Sequence, residues 1–345
     1  MTASQDSASP LIVDGHNDLL VELAFRSRRH GEANPFATHW LSHLQRGGVA
    51  LQVCPLYVDL PYLPEGGLRE ALSQIAAFHR AARENAESVV AVRRSSDLDA
   101  VERGERIGLM LSLEGAEALG YDPWMAEVVW ELGVRMMSLT WNRRNPFADG
   151  AAESGVGGLS ELGRQLVDRC VELGMILDLA HASEQTYWDV LERASEAPVV
   201  VSHAACRVVH DHPRNLSDEA LRALADRGGI VGIMLHPLAV DSAEPTLDRV
   251  VDHIDHAVEL MGIEHVGLGS DFTRQLVRAL NWIEPPDALL PEGMKTDAAI
   301  EDLAGPEDFP KLVEALRRRG YDDVRLRAVL GENFMRLFRR ALPAD

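Results

Sequence analysis

The sequence predicts an α/β chain folded as a (β/α)8 TIM barrel, and three observations carry that prediction. Eight short apolar runs alternate with amphipathic stretches, the order that builds parallel βα units and the number that closes a barrel. No GxGxxG follows the first run, which removes the commonest dinucleotide version of the competing open doubly wound sheet. In run after run the polar residues gather at the C-terminal end, where barrels build active sites.

The runs lie at 11–19, 48–58, 107–115, 134–141, 175–181, 198–204, 230–235 and 265–272. Between them, segments 68–85, 158–174, 183–194, 217–229 and 247–262 place apolar residues three and four apart with charges between, the pattern of helices with one buried face. Ser160, Ser183 and Ser217 stand where N-caps belong. Ala220 occupies the place of a capping-box Glu after Ser217, so the cap alone is expected there. Residues from about 306 to 342 read as two or three further helices on the outside of the barrel. Residues 1–10 read as a polar tail and 11–345 as one domain.

Composition narrows the function. The chain has 345 residues, with 34 Lys+Arg against 54 Asp+Glu, a formal charge of −20. That surplus argues against a nucleic-acid partner, because neutralising phosphates needs a basic surface. Cys54, Cys170 and Cys206 are far apart, so neither a disulfide framework nor a cysteine metal site is expected. The first ten residues lack an apolar signal core, and no stretch approaches the roughly 20 apolar residues that span a bilayer. A soluble, cytoplasmic protein without a membrane partner is the expectation.

The chemistry sits at the run ends. His16 and Asp18 are two apart on a predicted strand, which would put both on one face. Glu114 ends the third run, His181 the fifth, His203 the sixth and Asp271 the eighth. Each is bland alone: a strand-end His more often packs and hydrogen-bonds than ligates. Parallel barrel strands, however, are nearly continuous apolar runs, and burying five or six ionisable groups at their ends is costly without pairing or metal. Imidazole with carboxylate suits Zn²⁺ and similar ions. The set exceeds what one four-coordinate ion needs, so two ions sharing a carboxylate is the economical reading.

Several motifs, in order, carry a family resemblance. DGHNDLL at 14–20, SLEG at 112–115, GGLSELGRQLV at 157–167, GMILDLAH at 174–181, VVSHA at 200–204, RNLSD at 214–218 and HVGLGSDF at 265–272 resemble the membrane (renal) dipeptidases, the M19 metallopeptidases of the amidohydrolase superfamily. The resemblance implies a metal-dependent hydrolase barrel with two Zn²⁺ per chain that cleaves dipeptides, including those with a C-terminal D-residue. It implies His16 and Asp18 on one zinc, His181 and His203 on the other, and Glu114 between them. Asp271 would be the acid/base, serving a hydroxide that bridges the ions. Arg214 would hold the substrate's terminal carboxylate, and a homodimer is expected.

The sequence also departs from the family. Thr140-Trp141-Asn142 stands where the family has Thr-His-Asn, replacing a histidine near the developing oxyanion with an indole that offers one N–H. Arg143 and Arg144, directly after, are candidate sources of positive charge. His236 and Pro237 replace an aromatic-polar stretch, and Thr273-Arg274 replaces an acidic-glycine ending. Trp141, Asn142 and His236 are therefore candidate substrate-binding residues. The alternatives are a non-peptide amide or lactone as substrate, or a non-hydrolytic biosynthetic isomerase on the same fold. Cys206, beyond His203, shows no evident partner that would make it a nucleophile.

Overall fold

Among the residues described by the computed structural model (10–155, 157–280, 284–285 and 287–344), nine strands form one parallel sheet. They are β1 (Ile12–Asp14), β2 (Val49–Tyr57), β3 (Val89–Ala91), β4 (Ile107–Glu114), β5 (Val134–Ser138), β6 (Ile176–Asp178), β7 (Val199–Ala204), β8 (Ile230–Met234) and β9 (Val266–Gly269). The order runs β2-β1-β9-β8-β7-β6-β5-β4, and pairing of β2 with β4 closes the ring. Each of the eight predicted runs supplies one of these eight strands, so the barrel is closed as expected. The ninth, β3, pairs with Ile107 to Leu109 of β4, below the point where β5 begins pairing at Leu111. It is three residues long, too short to show a period of two, and the sequence reading passed over it.

Alternation along the strands divides the core in two. Leu109, Leu111 and Leu113 of β4 face outward and pack with the surrounding helices. Met110 faces inward, into a separate cluster with Val13, Leu51, Met136, Ile176, Val200 and Ile230 from six other strands. Glu114 lies on that inward face, at the strand's C-terminal end. The helices begin where their caps were expected: Ser160, Ser183 and Ser217 accept from the backbone N–H of Gly163, Thr186 and Ala220.

The C-terminal helices are Phe309–Arg318, Asp323–Arg327 and Asn333–Ala341. The last does not sit on the outside of the barrel. Phe334 and Phe338 join the inward cluster, and a Cβ at Gly267 would come within 2.5 Å of the Phe334 ring. The helix thus closes the N-terminal end of the barrel. Its apolar spacing marks a buried face without saying what buries it, which is why sequence alone misplaced it. Among the described residues no helix is long and apolar enough to cross a membrane.

Candidate active site

The opposite end of the barrel gathers the predicted ligands. His16 and Asp18 are not on a strand. β1 stops at Asp14, and Asp18 is the N-cap of the helix Leu19–Phe25. The expected two-residue alternation therefore does not position them; hydrogen bonds do. Asp14 Oδ1 accepts from the backbone N–H of Ser270 at 2.7 Å and of His16 at 3.2 Å. Asn17 N–H donates to the Val53 carbonyl. The segment after β1 is thereby held between β9 and β2, with His16 turned inward.

A second carboxylate does the same across the barrel. Asp178 Oδ1, at the end of β6, accepts from Ser202 N–H at 2.8 Å and Ala180 N–H at 3.0 Å. In both cases the serine precedes a site residue, His203 or Asp271. Burial raises both carboxyls, against the hydrogen bonds from their serines.

Glu114 Oε1 is the meeting point. It lies 2.8 Å from His181 Nε2, 3.5 Å from His16 Nε2 and 3.7 Å from His203 Nε2. The Nε2 atoms of His181 and His203 are 2.8 Å apart, and the His16 and His203 ring centroids lie 3.7 Å apart with the planes tilted by 34°. His16, Glu114 and His203 offer ligand atoms within 4.8 Å of one another, as do His16, Asp18 and Asp271. His181 and Asp271 lie past their strands in left-handed backbone, with φ of 65° and 52°. Non-glycine residues take that conformation at a cost, and it often marks functional positions. The Asp271 N–H is tied to the His16 carbonyl.

The donor set fits divalent metal ions. His181 Nδ1 donates to Asn142 Oδ1 at 2.7 Å, so its Nε2 carries a lone pair, aimed at Glu114 and His203. Both ring nitrogens of His16, Asp18 Oδ1 and Glu114 Oε2 are buried without a hydrogen-bond partner. Burial, reinforced by Arg214, pushes His181 down to about 3, and burial with the neighbouring imidazoles lowers His203. Neutral imidazole is the state in which His181 and His203 bind metal, whereas His16, against its burial, is held up to about 10 by Glu114, Asp18 and Asp271, with a proton that a bound cation would displace.

The remaining predicted residues border this centre. Arg214 is 5% exposed, and among the described residues its guanidinium makes one hydrogen bond, from Nη2 to the His203 carbonyl at 3.4 Å. Neither Asp211 nor Asp218 pairs with it; Asp218 is engaged by His256 and Arg222. Trp141, Asn142 and His236 all line the cavity above Glu114. Trp141 lies between Tyr57 and His181, at ring distances of 5.4 and 5.7 Å. Both polar groups of Asn142 are used by protein, and His236 donates to the Thr296 carbonyl.

Two open readings resolve. Arg143 stacks over Trp141 at 4.8 Å and is held by Glu117 at 3.3 Å and Asp287 at 3.5 Å, so its charge is spent within the wall. Arg144 is largely exposed and pairs with Asp149. Cys206 does contact a histidine, but not as a nucleophile with its base: its backbone N–H donates to His253 Nδ1, its thiol donates to the His253 backbone carbonyl at 3.5 Å, and burial pushes the thiol up to about 12. Sequence reasoning passed over Tyr57, which lines the cavity from the end of β2. Its position on an inward face at a strand end was a readable signal.

Known proteins resemble this chain in sequence and fold. The family model for membrane dipeptidases, peptidase family M19, matches residues 6–289. Dipeptidase verJ of Clonostachys rogersoniana is 33% identical over 272 residues, covering 78% of this chain and 64% of that protein. Dipeptidase 3 of Mus musculus is 28% identical over 347 residues, covering 95% and 64%. The chain therefore spans 64% of the length of these curated relatives. A metallopeptidase from Rhodobacter sphaeroides, solved with a phosphinate mimic of the dipeptide L-Ala-D-Ala, superposes with a TM-score of 0.81 at 26% identity, over 97% of this chain and 100% of that one. Dipeptidase AC, a metallopeptidase of family M19, superposes with a TM-score of 0.84 at 26% identity, over 98% and 100%. With more than half of its length matched by the family model and the fold shared throughout, the chain belongs to peptidase family M19, the membrane dipeptidases.

Proposed function

We propose that this chain hydrolyses dipeptides with two Zn²⁺ ions, one on His16 and Asp18, the other on His181 and His203, with Glu114 shared. The observation that carries the reading is the single Glu114 oxygen facing the Nε2 atoms of three histidines. When bound, the ions would polarise the scissile carbonyl and make water a nucleophile near neutral pH.

The chain's own groups supply the rest. Asp271 takes the proton from the attacking water and returns it to the leaving amine. Burial, with Glu114 nearby, raises its carboxyl, which brings it toward the range where a carboxyl can exchange protons in catalysis. Arg214 offers a planar fork with no carboxylate partner among the described residues, suited to a free C-terminus. Asn142 fixes the tautomer of His181.

One observation favours a second substrate class, a non-peptide amide or a lactone. Trp141 presents an apolar face where the family has an imidazole, and Arg143 behind it is already neutralised. Elemental analysis with a panel of L,L and L,D dipeptides, N-acyl amino acids and lactones tests both. Two metals per chain and chelator-sensitive dipeptide cleavage are expected. Two metals without cleavage moves the substrate outside peptides, and no metal after reconstitution overturns the ligand assignment.

A further inference from the structure

The outer wall of the cavity includes a strap, residues 287–296, that contains no helix or strand. Ala288, Leu290 and Thr296 line the cavity, and Leu290 and Met294 pack on Ala205, Met234, Leu238 and Ala239. Few of its own side chains anchor it. Instead, site side chains hold its backbone carbonyls.

Two histidines do so in the same way. His212 Nδ1 accepts from Arg214 N–H at 3.2 Å, and its Nε2 lies 2.9 Å from the Leu289 carbonyl. His236 Nδ1 accepts from Leu238 N–H at 3.2 Å, and its Nε2 lies 3.2 Å from the Thr296 carbonyl. A ring nitrogen facing a backbone N–H must be the acceptor, so in both rings the proton sits on Nε2 and points at the strap. Burial keeps both rings neutral, pushing His212 down to about 4 and lowering His236. A third link runs through Asn142, whose Nδ2 donates to the Asp287 carbonyl at 3.0 Å while its Oδ1 holds His181. Leu289 is the third described non-glycine residue in left-handed backbone, at φ 59°; the other two are His181 and Asp271. A leucine persists there only when its surroundings impose it.

We propose that the strap 287–296 selects the substrate by presenting an apolar wall to one of its side chains, and that His212 and His236 are positioning residues that hold the strap there. The apolar preference rests on the dipeptidase reading; the latch itself does not. The wall formed by Leu290, Ala288, Leu238, Met234, Leu276 and Trp141 would accept an uncharged apolar side chain and exclude Asp, Glu or Lys at that position.

The test uses the full chain reconstituted with Zn²⁺, with His212→Ala, His236→Ala and His236→Gln. Gln keeps an N–H that can reach the Thr296 carbonyl. Hydrogen exchange is read first, in free protein. Amides of 288–296 should exchange at least about tenfold faster in the Ala variants, the scale of one hydrogen bond, with much of the protection restored in His236→Gln. Metal content should be unchanged. Kinetics on dipeptides bearing Ala, Leu, Phe, Asp or Lys should then show KM rising for the apolar members, kcat little changed, and the penalty against charged members shrinking. Unchanged strap exchange in both Ala variants overturns the latch. Accelerated exchange with kcat falling equally on every substrate and KM fixed overturns the selectivity role. A wild type that cleaves no dipeptide yet shows the exchange effect sinks the dipeptidase reading and leaves the latch standing.

Discussion

Asp14 and Ser270, 256 positions apart in the chain, are joined by two hydrogen bonds: Asp14 Oδ1 accepts the Ser270 N–H at 2.7 Å and Oδ2 its hydroxyl at 2.5 Å. This contact joins the first strand of the barrel to the last and sets the direction of both His16 and Asp271. Asp14→Ala leaves the N–H groups of Ser270 and His16 unpaired in a fully buried place, while the Ser270 hydroxyl keeps the His16 carbonyl. A loss of about 2–3 kcal/mol in stability is expected, together with lower metal content. Urea unfolding and elemental analysis check it. Normal metal content would show that His16 is held by packing instead.

Asp271→Asn would remove the proposed proton acceptor while keeping shape. A fall in kcat of about 10²–10⁴ is expected, with metal content retained. Steady-state kinetics and elemental analysis on one sample decide it. Because Asp271 also lies within ligand reach of His16 and Asp18, loss of metal in this variant would make it a ligand and not a proton carrier.

Arg214→Ala should raise KM for dipeptides with a free C-terminus by about 10²-fold, the worth of a charge-assisted pair, and leave amidated analogues unaffected. Arg214→Lys keeps the charge without the fork and should fall between. An equal effect on free and amidated substrates would remove Arg214 from carboxylate recognition.

Trp141→His restores the donor that the family pattern carries. An increase of at least about tenfold in kcat on dipeptides is expected, since an oxyanion donor is typically worth about 10²–10³ in rate. The variant also loses the face on which Arg143 stacks, so a modest drop in thermal stability should accompany it. No change in kcat would mean that another group already serves the oxyanion.

Much of this site was legible because barrel strands announce their ends. Glu114 and His203 lie on or at the end of strands whose other residues are apolar, and a buried charge there needs a reason. The three serine caps were legible because a cap is local, reaching only three residues along the chain. His16 and Asp18 were placed at the right end for the wrong reason: a three-residue strand gives way to a hydrogen-bonded turn whose partners lie in β2 and β9. The strap was invisible for a related cause. A backbone carbonyl that accepts from a distant histidine leaves no mark on its own residue type, so Leu289 and Thr296 read as ordinary loop. Arg143 was ambiguous because its neutralising partners, Glu117 and Asp287, are far away in sequence.

The helix Asn333–Ala341 at the base of the barrel has a consequence for biosynthesis. The inward cluster holds residues from β1 onward, yet Phe334 and Phe338, which seal it, leave the ribosome after every strand has been made. Until then the apolar inner faces have no floor. The barrel must therefore complete its interior after translation of the strands, and the nascent chain offers exposed hydrophobic surface to chaperones for most of its synthesis.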